Sequence, residues 1–445
     1  MNDLEPLITT LKNLKEKDTA IQLLSTLGKH ASSYFEYDMI ARCLFKIKEY
    51  ELAIKYAEKM PFVSKTNEEL YVARMNLINL YNHANYPEYA MNLIKMIELI
   101  NPNDLDNKLE KAFSYFLLNE KDQAEKILRD ELNNPNITNE IKTKIQFNLG
   151  TYELYRDEFQ SGLRKFLFEG RKLEYWKKPK LPFNFWSGEI IHNIDLIIMA
   201  EAGIGDEFIN LRFCNHIKNL GMNPIWLTER QDLQRIFIDN GITTITNINQ
   251  LKPKNYYWTH SMDIPVYLNL EYKDLWNGPY LKANRKFIEK FKLSKNKINV
   301  GLRWQGNSEY DHDLHRSIPI KDIIPLFDQN KYQLHSLQKD TGLEDIEGLN
   351  VIDYSNKLET FEDTLGLIEN LDLIITSCTS VAHASAAMGK QTIIFTPISA
   401  YYVWSHSMKQ SPWYGDNVII LRQQKPRIWD SPIQELEKIL SNRYK

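Results

Sequence analysis

The sequence predicts an α plus α/β protein, in which a helical N-terminal third precedes two α/β halves. From residue 1 to about residue 175, glycine is scarce and apolar residues recur at spacings of three and four, as in amphipathic helices. After about residue 190, short apolar runs alternate with amphipathic stretches and glycine turns, which is the rhythm of βαβ units. A Pro- and aromatic-rich join, residues 175–189, separates the two patterns.

The helical third contains an internal repeat of paired helices. The small residue that opens each second helix recurs at intervals of 37, 34 and 38 residues, at Ala53, Ala90, Ala124 and Gly162. A repeat of about 34 residues made of paired helices predicts a stacked solenoid, in which small residues let the helices approach closely. We assign residues 1–174 to this domain. This domain is either a helical packing domain that binds no ligand, or it offers a surface for a protein partner or for self-association.

The last of these helix pairs resembles the tetratricopeptide repeat. The sequence NLGTYELYRDEFQSGLRKF has residues typical of that family's small and aromatic positions, namely Asn148, Leu149, Gly150, Tyr152, Phe159 and Gly162. The three earlier pairs match more loosely, so the domain is described as tetratricopeptide-like.

The remainder predicts two Rossmann-like α/β domains, residues 175–290 and 291–445. Strands are predicted at IDLIIMA and NPIWLT in the first domain, and at INVGLRWQGN, YQLHSLQ, LNVIDY, LDLIITS and QTIIFTP in the second. DEFINLRFCNHIKNLG is predicted to form one helix closed by a glycine, and FEDTLGLIEN and SVAHASAAMG form helices of the second domain. A cleft between the carboxyl ends of the two sets of strands is where open sheets bind ligands.

Composition excludes several classes of protein. A formal charge of −3 argues against a nucleic-acid backbone or an anionic membrane as the main partner. The three cysteines, Cys43, Cys214 and Cys378, lie far apart, which excludes a disulfide framework and a cysteine zinc site. No window approaches about 18 uncharged apolar residues, and the N-terminus lacks the build of a signal peptide. We expect a cytoplasmic protein without a membrane span.

The stretch IIMAEAGIGDEFINLRF combines an apolar run, two glycines and an acid at the start of a helix. It lacks the third glycine of the dinucleotide fingerprint, where Phe208 stands, and no acid clearly ends the next strand. A strand, a glycine turn and a helix N-terminus still make a backbone that suits an anion. Asp206 at this turn either caps the helix or lies at the mouth of the cleft.

Two segments of the second domain predict a phosphate site. GLRWQGNSEYDHDLHRSIPI runs from a strand into a polar loop that contains Arg303 and Arg316. LIITSCTSVAHASAAMGK places Ser377, Thr379 and Ser380 between a strand and a small-residue helix. Hydroxyls and free N–H groups at a helix N-terminus suit a pyrophosphate, although TSCTS alone also fits a plain cap and turn.

Four segments, taken in order, resemble the C-terminal half of the heptosyltransferase-like (family 9-like) GT-B glycosyltransferases, and most closely the branch with N-terminal tetratricopeptide repeats. They are GLRWQGNSEYDHDLHRSIPI, HSLQKD, ENLDLIITSCTSVAHASAAMGK and MKQSPWYGDNVIILRQ, and GIGDEFINLRF is similar to the family's glycine–Asp loop. The resemblance covers roughly residues 150 to 430. It implies an inverting, metal-independent transferase without a cofactor. The nucleotide-sugar donor would lie on the C-terminal domain, and a glycan or protein acceptor on the N-terminal domain.

The resemblance also implies roles for individual residues. Asp206 would be the general base toward the acceptor hydroxyl, and Arg316 would contact the donor phosphate. Thr379, Ser380 and His383 would lie beside the pyrophosphate. The matched segments contain further substrate-binding candidates, which are Gly203, Gly205, Arg303, Gln305, Asn307, Gln338, Lys339 and Cys378.

Two other functions stay open, and two local signals are discounted. Many family members have an acid where this chain has Cys378, which keeps open a non-catalytic scaffold with a degenerate cleft; a nucleotide-sugar epimerase on the same fold is the other alternative. Asp311, His312, Asp313 and His315 are not predicted to bind metal, because a polar loop does not hold ligands rigidly. Cys378 lies near a helix N-terminus that would lower its pKa, but no general base stands in the motif.

Overall fold

The fold confirms the predicted α plus α/β class. It is described by a computed structural model for residues 17–176, 178–307, 313–339 and 341–443. The helical pattern of residues 1–16 and the discounted metal ligands Asp311 and His312 lie outside the described residues. The chain divides into two compact units, a smaller one formed mainly by residues up to Asn134 and a larger one that begins at Pro135.

The smaller unit is built of helices, and three of those described begin at a side-chain cap. Ser33, Thr66 and Asp104 each accept the N–H three residues ahead, which satisfies a donor that has no partner inside the helix. The helices are α1 Lys17–His30, α2 Tyr34–Lys46, α3 Tyr50–Ala57, α4 Met60–Val63, α5 Asn67–His83, α6 Pro87–Ile100, α7 Leu105–Leu117 and α8 Lys121–Leu132.

The helix pairs share one register, as the repeat predicts. The small residues Ala53, Ala90 and Ala124 are each the fourth residue of a second helix, and all are fully buried. The turn inside each pair contains a residue with a left-handed backbone. These residues recur at the same intervals as the small residues, 37, 34 and 38 positions. These residues are Lys48 (φ 63°), Asn85 (φ 63°), Asn119 (φ 65°) and Asp157 (φ 62°).

The last helix pair, α9 Asn139–Tyr155 and α10 Phe159–Lys172, belongs to the larger unit. Its glycines bring the two backbones together, since a Cβ on Gly162 would stand 2.7 Å from the amide nitrogen of Leu154. Leu163 of α10 packs into the same hydrophobic core as the strands of both α/β domains. The compact units therefore divide at residue 134, whereas the sequence pattern placed the end of the helical domain at residue 174.

The first α/β domain has a five-stranded parallel sheet in the order β1-β5-β2-β3-β4. Leu196 and Ile198 face one core, and Ile197 and Met199 face another, which explains the uninterrupted apolar run of the central strand. The strands are β1 Asn184–Phe185, β2 Asp195–Met199, β3 Asn223–Leu227, β4 Thr243–Ile245 and β5 Tyr256–His260. The helices are α11 Ile204–Asn210, α12 Phe213–Asn219, α13 Gln231–Asp239, α14 Ile264–Tyr267 and α15 Arg285–Lys290.

The predicted single helix of residues 206–221 is wrong, because two helices, α11 and α12, replace it. At the break, the Nε atom of Arg212 donates a 2.8 Å hydrogen bond to the carbonyl of Ile209. This carbonyl would otherwise accept a backbone N–H in a continuous helix.

The second α/β domain has a seven-stranded sheet in the order β11-β12-β10-β9-β6-β7-β8. Among the strands that the structure describes in this sheet, only the β11–β12 pair is antiparallel. The strands are β6 Ile298–Arg303, β7 Tyr332–Ser336, β8 Val351–Ile352, β9 Leu373–Ser377, β10 Thr392–Thr396, β11 Gln410–Ser411 and β12 Gly415–Arg422. The helices are α16 Asp313–Arg316, α17 Ile320–Ile323, α18 Phe361–Asn370, α19 Ser380–Ala387 and α20 Asp430–Arg443. Within the described residues, every helix is too short or too polar to cross a membrane.

Candidate active site

The strand order of the larger sheet creates a ligand crevice. From β6 the chain proceeds to β7 and β8 on one side, and then to β9, β10 and β12 on the other. This is the order of the doubly wound nucleotide-binding fold, whose ligands lie where the order reverses, outside the carboxyl ends of the strands. The reversal lies between β6 and β9, so the crevice opens at Arg303 and Ser377, the last residues of these strands.

Two guanidinium groups lie at the carboxyl edge of this sheet. Arg316 donates from Nη1 to the carbonyl of Cys378, at 2.8 Å, and therefore lies against the turn that follows β9. Arg303 instead leans toward β7, because its Nη1 donates to the carbonyl of Leu337 at 2.9 Å. The two predicted arginines thus flank the crevice and bring positive charge to it.

The turn after β9 leads directly into the N-terminus of α19. Thr379 is the N-cap residue, with an extended backbone, and its Oγ1 lies 3.3 Å from Oγ1 of Thr376. The Oγ of Ser377 is buried and has no hydrogen-bond partner among the described residues. A helix N-terminus with adjacent hydroxyls is a favourable environment for an anion.

The first turn of α11 packs against the first turn of α19, which joins the two α/β domains. A Cβ on Gly205 would stand 2.9 Å from Cδ2 of His383 and 3.5 Å from Cα of Ser380. Gly205 therefore permits an approach that a side chain would prevent. Gly203 is the N-cap residue of α11, with φ −91°, and does not need a left-handed backbone.

Asp206 lies at this contact and is hydrogen-bonded from both domains. Its Oδ2 accepts from the N–H of Gly203 at 2.9 Å, and its Oδ1 accepts from the hydroxyl of Tyr401 at 2.6 Å. Burial raises the pKa of Asp206 to about 6, although both hydrogen bonds and the charge of Arg230 act to lower it. The carboxylate thus caps α11 and, at the same time, faces the domain that holds the crevice.

His383 and Cys378 are buried and uncharged near neutral pH. The ring of His383 stacks on Trp404 at 5.0 Å, its Nδ1 lies 3.0 Å from the hydroxyl of Tyr414, and burial lowers its pKa to about 3. Burial raises the pKa of Cys378 to about 11, and its Sγ accepts from Nε1 of Trp404 at 3.0 Å. The expectation that a helix N-terminus lowers the pKa of Cys378 is wrong, because burial outweighs that effect.

The remaining candidates lie in loops after β6 and β7. The Oε1 of Gln338 accepts from the backbone N–H of Gln305 at 3.3 Å, and its Nε2 donates to the carbonyl of Thr341 at 2.6 Å. Gln338 therefore holds the two loops together. Lys339 donates to the carbonyl of Glu359 at 3.0 Å, and Asn307 is exposed.

Sequence reasoning missed several residues that shape the glycine loop. Glu207 is fully buried and accepts from Arg230 at 2.6 Å, from Thr228 at 3.0 Å and from Trp226 at 3.1 Å. Ala202 adopts a left-handed backbone (φ 56°), which is unusual for a residue with a Cβ. The acid at position 207 gave a signal, since it is adjacent to Asp206, but its partners lie about 20 residues away, on β3 and in the loop that follows it.

The tyrosine that bonds to Asp206 was also missed. Tyr401 lies 195 residues further along the chain, in the segment SAYYVWSHSMKQSPWY, which sequence reasoning could not place. Its only signal was the density of aromatic residues. No group of three or more His, Cys, Asp or Glu side chains in the described part of the chain is arranged to hold a metal ion.

Comparisons with known proteins give structural similarities at low identity. No family model and no curated protein matches the sequence. A family 9 glycosyltransferase from Veillonella parvula is 10% identical, over 58% of this chain and 92% of that chain, with a TM-score of 0.40. The ADP-heptose heptosyltransferase II of E. coli is 10% identical, over 57% and 100% of the chains, with a TM-score of 0.38. An O-GlcNAc transferase mutant from Thermobaculum terrenum is 10% identical, over 96% and 91%, with a TM-score of 0.31.

These structures are glycosyltransferases, the class that the sequence motifs resemble. Since every TM-score is below 0.5, the similarity adds nothing to what the residues of this chain themselves support.

Proposed function

We propose that this chain is a glycosyltransferase that moves a sugar from a nucleotide-activated donor to an acceptor hydroxyl. The observation that carries this proposal is the contact between α11 and α19. It brings a carboxylate of one α/β domain, Asp206, to the crevice of the other domain, which has the strand order of nucleotide-binding folds. A base and an anion site on facing domains are what transfer from a nucleoside diphosphate requires.

In the proposed reaction, Asp206 accepts the proton of the acceptor hydroxyl while the acceptor oxygen attacks the anomeric carbon. The bond between that carbon and the phosphate oxygen breaks, and its electron pair leaves with the nucleoside diphosphate. Arg316 and the N-terminus of α19 stabilise the negative charge that develops there. With a pKa of about 6, Asp206 is ionised at neutral pH and basic enough to take a proton.

The hydroxyl of Tyr401 marks a position for the acceptor. It donates to Oδ1 of Asp206 at 2.6 Å, as an acceptor hydroxyl would have to do before transfer. The acceptor therefore displaces Tyr401 from the carboxylate. Inversion at the anomeric carbon and independence of metal are parts of the proposal that rest on the family resemblance alone.

The first test is nucleotide binding, measured as thermal shift with UDP, GDP, ADP, CMP, dTDP and their sugar conjugates, with and without Mg²⁺. At about a hundred times its dissociation constant, a ligand stabilises the native state by about 2.7 kcal/mol. We expect one nucleotide to raise Tm without Mg²⁺, and Arg316→Ala to abolish the shift. Arg285→Ala is the matched control, because the Arg285 side chain is 90% exposed on α15. A flat response across the panel would instead support the non-catalytic scaffold.

The second test concerns transfer itself. Asp206→Asn removes the base but keeps the shape of the side chain, so we expect unchanged nucleotide affinity and a transfer rate lower by about 10²–10⁴-fold. Product analysis distinguishes transfer from epimerisation, since an epimerase would release an isomerised nucleotide sugar without any acceptor. Full transfer by Asp206→Asn would exclude Asp206 as the base.

A further inference from the structure

The smaller sheet also reverses its strand order, and a cluster of charged side chains occupies the crevice at that reversal. From β2 the chain proceeds to β3 and β4 on one side, and to β5 on the other, so the reversal lies between β2 and β5. Glu201 follows β2, and Asp263 lies three residues after the end of β5. Arg171, the second-last residue of α10, reaches both carboxylates.

The planar guanidinium of Arg171 forms a fork of hydrogen bonds that holds both carboxylates. Arg171 donates from Nη1 to Oε1 of Glu201 at 2.6 Å, and from Nη2 to Oε2 at 2.8 Å. Its Nη2 also donates to Oδ1 of Asp263 at 2.8 Å, and its Nε lies 3.1 Å from Oδ2. The Nδ1 of His260 lies 3.0 Å from Oε1 of Glu201. A planar guanidinium can hold two carboxylates in this way, whereas an ammonium cannot.

The cluster is buried, so its geometry is rigid. The side chain of Glu201 is 0% exposed and that of Asp263 is 1% exposed. Burial acts to raise the pKa of Glu201, but Arg171 and His260 outweigh it and keep that pKa below its ordinary value. Arg171 thus keeps a buried carboxylate ionised at the start of the glycine loop.

The loop that follows Glu201 leads directly to Asp206. Ala202 comes next, with its left-handed backbone, and its carbonyl accepts from Nη2 of Arg230 at 2.9 Å. Gly203 then donates its N–H to the carboxylate of Asp206. The strained conformation of Ala202 persists only if both sides of the loop are held, and Arg171 and Arg230 hold them.

The same helix pair also holds the loop that contains Tyr401. The hydroxyl of Tyr155 on α9 donates to the carbonyl of Ile398 at 2.6 Å and accepts from the N–H of Ala400 at 3.3 Å. Both hydrogen-bonding partners of Asp206, Gly203 and Tyr401, therefore lie in segments anchored by α9 and α10.

We propose that Arg171 is a positioning residue: from the last repeat-like helix pair, it fixes the glycine loop and thereby sets the orientation of Asp206. The proposal rests on the proposed function for its catalytic consequence, but not for its structural one. The helix pair that contains Arg171 belongs to the same compact unit as the glycine loop. Without Arg171, Ala202 relaxes from its left-handed conformation, and Asp206 loses the N–H of Gly203.

The experiment compares four forms of the full chain with wild type. Arg171→Met removes the fork, and Arg171→Lys keeps the charge without it. Arg171→Met alone leaves two buried carboxylates unpaired, which can prevent folding. The triple variant Arg171→Met, Glu201→Gln, Asp263→Asn avoids this, because it removes all three charges together. Arg164→Met is the matched control, because Arg164 is an exposed arginine on the same helix.

The readouts are Tm, nucleoside diphosphate affinity, kcat, and the ¹³C titration of the Asp206 carboxyl, assigned by its absence in Asp206→Asn. The titration has several determinants besides burial. The groups that lower the pKa of this carboxyl are Tyr401, the N–H groups of Gly203 and Asp206 itself, and Arg230. Beyond the effect of burial, Cys378 and Tyr402 also lie close enough for the charge of Asp206 to raise their pKa values, but both are neutral in the pH range where Asp206 titrates.

We expect the triple variant to recover Tm but to keep kcat at least about tenfold below wild type, since small displacements of a base slow the reaction. Nucleotide affinity stays within about twofold, because the crevice of the larger sheet is untouched. The titration midpoint of Asp206 rises, because a hydrogen bond to its charged form is lost. Arg171→Lys recovers part of kcat, and Arg164→Met behaves as wild type.

A triple variant with wild-type kcat and an unchanged Asp206 titration would overturn the proposal, and Arg171 would then serve stability alone. If the wild-type chain transfers no sugar, the proposed function fails, and the titration alone decides about Arg171. A shifted midpoint in the triple variant supports positioning, and an unshifted midpoint contradicts it.

Discussion

At the scale of single residues, burial decides the chemistry of the candidate site. It raises the pKa of Asp206 to about 6 and that of Cys378 to about 11, and it lowers the pKa of His383 to about 3. Near neutral pH the site therefore contains one ionised carboxylate, a thiol and a neutral imidazole. In the proposed reaction, Asp206 is therefore the base among these three groups, and the arginines are proposed to bind the anion.

The hydrogen bond from Tyr401 affects the pKa of Asp206, the proposed base. Because this bond lowers the pKa of Asp206, Tyr401→Phe should raise it above about 6. A base with a higher pKa loses its ionised form at a higher pH, so the acid limb of the pH–rate profile should move upward by about half to one pH unit. The measurement is kcat/KM between pH 5 and 8, a range that extends about one unit below the pKa of Asp206 and about one unit above the highest pKa expected for the variant.

Tyr402→Phe is the control for this change, because Tyr402 is the neighbouring residue and its ring packs against Phe166 and Trp413. We expect its acid limb to coincide with that of wild type. Because kcat/KM reports ionisation of the free enzyme, equal profiles for Tyr401→Phe and wild type would mean that the hydrogen bond from Tyr401 does not lower the pKa of Asp206.

How far residues could be predicted depended on whether a local signal existed. Asp206 follows a glycine turn, Arg303 ends β6, and Arg316 lies in the polar segment after that strand, so the pattern of strand ends was enough to select them. Arg171 and Tyr401 have no such mark, because their partners lie 30 and 195 residues away in sequence. Contacts over such separations depend on the packed tertiary structure, which one sequence does not reveal.

At the scale of elements, close helix approach depends on glycine both in the last helix pair and at the candidate site. In the last helix pair, Gly150 and Gly162 bring the backbones of α9 and α10 together, and the repeat pattern predicted this. At the site, Gly205 does the same for α11 and α19, although the sequence suggested that the two glycines served an anion. The break between α11 and α12 could not be predicted, because a side chain, Arg212, takes the place of a backbone donor.

The two glycines of the GIG turn should respond differently to alanine. In Gly205→Ala the new Cβ meets Cδ2 of His383 at 2.9 Å, and His383 cannot yield easily, since it stacks on Trp404 and bonds to Tyr414. We expect a loss of about 1–3 kcal/mol in the free energy of unfolding, measured in urea, together with a lower transfer rate.

Gly203→Ala is the matched control on the same turn. Its backbone is compatible with alanine, and the nearest atom to the new Cβ, Oδ2 of Asp206, stands at 3.4 Å. We expect a change within about 0.5 kcal/mol. Equal losses for the two variants would mean that the approach of α11 to α19 is not limited by the Cβ.

At the scale of the whole molecule, the repeat pattern and the compact units divide the chain differently. The period of the helix pairs continues through Gly162, so sequence alone assigns α9 and α10 to the helical domain. In the structure these helices pack within the unit that begins at Pro135, and Leu154, Leu163 and Leu167 are fully buried there. A periodic sequence predicts how helices pair with each other. It does not predict in which hydrophobic core the other faces of those helices are buried.

This difference predicts the outcome of truncation. A chain that begins at Pro135 keeps α9, α10 and the larger unit's core, so it should remain soluble and unfold cooperatively in urea. A chain that begins at residue 175, the boundary expected from sequence, loses the buried leucines of both helices. It also removes Arg171, the guanidinium that pairs with Glu201 and Asp263, and loss of one partner from such a buried pair costs about 3–5 kcal/mol. Because that is comparable to the total stability of many domains, the shorter chain should not fold. Tryptophan fluorescence in urea, with both chains at equal concentration, makes the comparison. A shared unfolding midpoint would show that the helix pair only covers the α/β core without stabilising it.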